Sequence, residues 1–127
     1  MTGTAPIEIT EIRWGHIQLR HEGQLQVFKD CKVWPSGAKA WDWALTGTRH
    51  RPGIQPADLE ELLAHDIEVM ILSRGMELVL QTCPDTFSAL TAAGIEYRHE
   101  ETAAGVAVFN ELTRAGRRVA GLFHSTC

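Results

Sequence analysis

The sequence predicts an α/β fold, and three observations predict it. Before residue 50, short runs rich in Ile, Val, Trp and Phe are broken by turn residues, as in a succession of short strands. After residue 50, helical patterns alternate with apolar strand patterns. The closing run RVAGLF is apolar on both faces, which suits a strand buried inside a covered sheet.

The elements follow in order. IEITEIRW alternates Ile7 and Ile9 with Glu8 and Thr10, a half-buried strand. HIQL and LQVF flank HEGQ, a hairpin turning at Glu22-Gly23. CKVW is a short strand ended by Pro35-Ser36-Gly37. Pro56 suits a first helical position, and Asp58, Glu60 and Glu61 suit the positive end of that helix. Leu59, Leu62 and Leu63 give it one apolar face. EVMIL is a strand, PDTFSALTAAG a second helix between Pro84 and Gly94, and IEYR another strand. TAAGVAVFNELTRAG is the third helix, with Thr102 as N-cap and Gly116 as stop; Glu100 and Glu101 lie where the helix dipole favours acids. RVAGLF is expected at the centre of the sheet, so the tail HSTC either ends at a crevice where α/β sheets often bind ligands or is pinned against the neighbouring layer by its own side chains.

No repeat or low-complexity linker divides the chain, so residues 1–127 read as a single domain. A formal net charge of −4, without a basic stripe, excludes a phosphate-backbone binder; no nucleic-acid partner is expected. No run is long and apolar enough for a membrane helix, and MTGTAPIEITEI lacks the pattern of a secretory leader. Cys31, Cys83 and Cys127 are odd in number and widely spaced, which suggests reduced thiols in the cytoplasm.

Three places invite chemistry. In the tail, His124 and Cys127 pose three readings: a nucleophile with its base, half of a metal site, or packing residues. In an extended segment the two side chains point to opposite faces, and they meet only if the backbone turns at Ser125-Thr126. The packed or hydrogen-bonded tail is favoured over a dyad. The second place is ILSRGM, where a strand running into Arg74-Gly75 presents backbone N–H groups and a guanidinium to an anion. Its plainer reading gives Gly75 a special backbone angle and Arg74 a carboxylate partner. The third holds Trp34, Trp41 and Trp43 around Asp42, either a binding wall or the roof of a core. The six histidines show no metal-ligand spacing, and no nucleophile elbow, phosphate loop or dinucleotide fingerprint occurs. No metal and no cofactor are therefore expected.

The ordered succession of W-D-W, RHRPGIQPAD, ILSRGM, TFSALTAAGIEY and the closing GLFHSTC resembles the adipogenesis-associated Mth-type domain family, a domain of unknown function. More distant relatives of that family include a mitochondrial complex I assembly factor. The resemblance runs from about residue 5 to Cys127. It implies a three-layer α/β domain: a mixed central sheet with flanking helices beside a small N-terminal antiparallel β layer. It implies no established reaction or cofactor. It does imply a surface crevice bordered by Trp41, Asp42, Ser73, Arg74, Gly75, Asn110 and His124. Relatives that act as assembly factors usually carry Gly-Thr-Gly where this chain has Ser73-Arg74-Gly75, a departure that counts against carrying over an assembly role.

The functional expectation is a non-catalytic binding or accessory domain engaging a protein or a small anionic ligand. The alternative is a metabolite-binding protein or enzyme with Arg74 as anion clamp and His124 as acid/base. A redox sensor acting through Cys127 or Cys83 is a third reading.

Overall fold

The computed structural model describes residues 6–127. Strands β1 (Glu8–Arg13), β2 (His16–His21) and β3 (Gln24–Phe28) form an antiparallel sheet. The hairpin turn is where the sequence places it: Glu22 and Gly23 both have positive φ, and His21 pairs with Gln24. The second sheet contains β4 (Asp30–Trp34), β5 (Gly37–Ala40), β6 (Val69–Ser73), β7 (Glu96–Glu100) and β8 (Val119–His124), in the order β5-β4-β8-β6-β7. It is mixed: β6 runs parallel to β7 and β8, whereas β4 is antiparallel to both its neighbours.

The helices α1 (Pro56–Leu63), α2 (Pro84–Ala92) and α3 (Thr102–Arg114) cover the two faces of this sheet. Alternation along β6 and β8 divides the interior in two. Val69, Ile71, Val119 and Phe123 face a core shared with α3 and the N-terminal sheet. Met70, Leu72, Ala120 and Leu122 face a second core with Leu59, Leu62 and Leu90 of α1 and α2. β8 is buried at all six positions, the central place its apolar sequence requires. Each large side chain in these cores contributes roughly 1.5–3 kcal/mol by burial.

One expectation needs correction. The N-cap of α3 is Glu101, whose carboxylate accepts from the amides of Ala103 and Ala104; Thr102 is buried and donates its hydroxyl to the His124 carbonyl at 2.7 Å. Asp58 is a first-turn acid of α1, as the sequence places it. It is also fully buried, and α1 does begin at Pro56. The sequence reading also passed over β5 and the 3-10 turn Trp43–Leu45, capped by Asp42 through the Ala44 amide. Both are too short to show a period.

Candidate functional site

β4 and β8 pair so that Asp30 lies opposite His124, at the end of β8 where the chain leaves the sheet. Both oxygens of Asp30 accept from Nδ1 of His124, at 3.0 and 3.1 Å, and one also accepts the Ser125 amide at 3.0 Å. The His124 side chain is 4% exposed and that of Asp30 12%, so water competes little for this bond. A carboxylate on Nδ1 fixes the ring and leaves Nε2 of the neutral imidazole as an acceptor. Nε2 points at two further groups, Nε2 of His50 at 3.2 Å and Oγ1 of Thr126 at 3.1 Å.

These groups floor a cleft of about 390 Å³ walled by Trp41, Trp43 and Asp42, with exposed Lys29 at its rim. The Trp43 ring lies 4.6 Å from that of His124 and 5.0 Å from that of His50, packing both imidazoles in place. Burial, and then the neighbouring His124, holds the His50 imidazole below its ordinary pKa, with Asp30 opposing. Trp41 is anchored from below: its Nε1 donates to Asp58 at 3.1 Å.

Asp58 is the hub of the loop that carries the tryptophans. Its carboxylate accepts from Trp41, from the hydroxyls of Thr46 and Thr48 at 2.7 and 2.5 Å, and from the Gln55 amide at 2.9 Å. α1 therefore sets the position of the cleft wall.

The tail is held on every side. The His124 amide donates to Ser73 Oγ, the Ser125 hydroxyl donates to the Lys29 carbonyl, and the Gly15 amide donates to the Ser125 carbonyl. Met76 and Val79 donate their amides to the carbonyls of Thr126 and Cys127, at 2.6 and 2.9 Å. Gly75 has φ +83° and lies flat against Cys127, so a Cβ there would overlap the Cys127 carbonyl. The backbone does turn after His124. A ring nitrogen from each of His50 and His124 and the sulfur of Cys127 lie within 4.8 Å of one another.

The predicted crevice residues thus separate. Trp41, Asp42 and His124 line the cleft. Ser73 lies beneath it, hydrogen-bonded to β8. Arg74 and Gly75 belong to the segment that clasps the tail; Arg74 forms no ion pair among the described residues, and its buried Nε has no hydrogen-bond partner among them. Asn110 is elsewhere, bonding both backbone groups of Ile9 from α3. Asp30, His50 and Thr126 were missed. No short-range signal marks them, because Asp30 and His124 are 94 residues apart in sequence and meet only through strand register.

The remaining cysteines are poor thiolates. Cys31 is buried, with its thiol pushed far up by burial and then by Asp30. Burial, then Asp85 and Asp58, raises Cys83 as well.

His99, on β7, bonds Thr82 at 3.3 Å and packs edge-on to Phe87. Burial, then the Arg74 guanidinium, holds its pKa below the ordinary value of 6.5, with Glu100 opposing. The folded protein therefore disfavours a proton that the unfolded chain accepts. The stability from neutral His99 is complete above about pH 6.5 and declines as pH falls toward the lowered folded value. Urea midpoints are expected to drop as pH falls below about 6.5, and less so in His99→Gln. Equal slopes for the two proteins would remove His99 as the cause.

A family model described as "Protein of unknown function (DUF498/DUF598)" matches residues 9–124. The conserved hypothetical protein PH1505 from Pyrococcus horikoshii OT3 has the same fold: TM-score 0.75, 21% identity, covering 94% of this chain and 99% of that one. So does a Bordetella pertussis protein described as a Mth938-like domain (TM-score 0.62, 19% identity, 98% and 89% covered). A Bartonella henselae protein described as an outer membrane protein matches at TM-score 0.75 and 23% identity, over 96% of this chain and 97% of that one. Among the described residues of this chain, no helix is long and apolar enough to cross a membrane.

Proposed function

The chain belongs to the DUF498/DUF598 family of proteins of unknown function, a Mth-type domain, and from that premise we propose that it is a non-catalytic binding domain that holds a small anionic ligand in the cleft over His124. One observation carries this reading. The buried Asp30–His124 pair presents a fixed Nε2 at the floor of a cleft of about 390 Å³ walled by aromatic rings. Exposed Lys29 at the rim, and exposed Arg49 and Arg51 beside His50 in sequence, set positive charge against the Asp30 and Asp42 carboxylates near the cleft. Arg74, the anion clamp expected from the sequence, is not among the residues lining this cleft. We place the protein in the cytoplasm, a location that its free cysteines favour.

Native mass spectrometry of the protein gently isolated from its own cells tests this reading. The expected result is a reproducible small added mass that is lost in Trp43→Ala. A bound polypeptide with the same dependence would make the domain an accessory protein and overturn the small-ligand reading.

A further inference from the structure

The cleft floor contains more than a hydrogen-bonding group. We propose that His50, His124 and Cys127 form a binding site for a divalent transition-metal ion of the zinc class, with Asp30 orienting His124. The inference rests on the cleft being the working surface of the protein, and it assigns chemistry to its floor.

Four features support it. First, the donor set is two imidazoles and a thiol, converging within 4.8 Å. Three protein ligands of this type with an open fourth position suit zinc, whose sites combine nitrogen and sulfur donors. Second, the spacing fits. A tetrahedral ion with bonds of about 2.05 Å to nitrogen separates its two nitrogens by about 3.3 Å; the two Nε2 atoms are 3.2 Å apart. Third, His124 carries the carboxylate partner on Nδ1 that metal-bound histidines commonly have, which keeps the Nε2 lone pair directed at the ion. Fourth, that one lone pair has two polar neighbours at 3.1 and 3.2 Å, more than a single acceptor site satisfies with good geometry. An ion between the imidazoles uses both nitrogens at once.

The main competitor is a Cys127–His124–Asp30 nucleophile system. It leaves the second imidazole at His124 Nε2 without a role, where a metal site employs it. A fourth ligand would come from water, the Thr126 hydroxyl or an anion in the cleft that His50, His124 and Thr126 line.

The test is titration of chelator-treated full-length protein with Co(II), read by absorbance and followed by displacement with Zn(II). One equivalent of cobalt is expected to produce the visible bands of four-coordinate geometry together with a thiolate charge-transfer band. Cys127→Ser should lose the charge-transfer band, and His50→Ala should lose tight binding. Asp30→Asn should bind about 10- to 100-fold more weakly. Circular dichroism checks that each variant is folded, and Cys127→Ser, at a half-buried tail position, serves if a histidine variant is not. Absence of the bands at a several-fold excess of cobalt would overturn the assignment, as would a charge-transfer band that survives Cys127→Ser. The outcomes are separable from those of the ligand reading. No cobalt bands with the Trp43-dependent added mass retained rejects the metal alone; cobalt binding without any added mass rejects the anion alone.

Discussion

Replacing Asp58 by alanine is expected to destabilise the protein by roughly 4 kcal/mol. The carboxylate is fully buried, and among the described residues no cation bonds to it; its partners there are four neutral donors. Thr46 and Thr48 can turn their hydroxyls toward each other, since they already lie 2.8 Å apart. The Trp41 indole and the Gln55 amide have no such freedom, and each orphaned buried donor costs about 1–3 kcal/mol. Asp58→Asn keeps one acceptor oxygen and should lose about half as much, because its amide nitrogen then confronts a donor that cannot reverse. Urea denaturation with an unchanged m-value measures both losses. A loss below about 1 kcal/mol for the alanine variant would show that the loop does not depend on this hub.

Gly75→Ala is expected to cost roughly 3–5 kcal/mol and to release the tail. The left-handed φ contributes about 1–2 kcal/mol for a residue with a Cβ. The remainder follows from overlap with the Cys127 carbonyl, which the Val79 amide holds in place. Relief requires residues 126–127 to detach, breaking their bonds to Met76 and Val79. Hydrogen exchange at those two amides should then accelerate well beyond any change in the β6 amides. Unchanged exchange at Met76 would show that the neighbouring backbone absorbs the methyl group without losing the clasp.

How much of this is legible in the sequence depends on the range of the interactions involved. The three helices declare themselves through Pro56 and Pro84 at their starts and Gly94 and Gly116 past their ends, all local signals. The position of β8 follows from Val119–Phe123, five residues that leave no polar face before His124. The site is legible only in part. A backbone turn at Ser125-Thr126 is the condition for His124 to meet Cys127, but nothing local shows that the turn is made. Asp30 and His50 carry no spacing signature, because strand register and a loop folded over Asp58 bring them to His124. Asp58 itself reads as an ordinary helix-start acid, since burial is a property of what packs above it. The Thr102 hydroxyl suits a cap, whereas in the fold the β8 backbone claims it.

The register that sets Asp30 against His124 also bears on how the chain reaches its native state. Those partners stand 94 residues apart, and the adjoining β6–β8 pair joins Val69 to Val119. Contacts of such separation carry a large loop-closure entropy and are rewarded late in folding. The cleft floor is therefore expected to form late, after the local contacts of the helices. A ligand that binds there would stabilise the finished sheet, and its effect is expected mainly in slower unfolding.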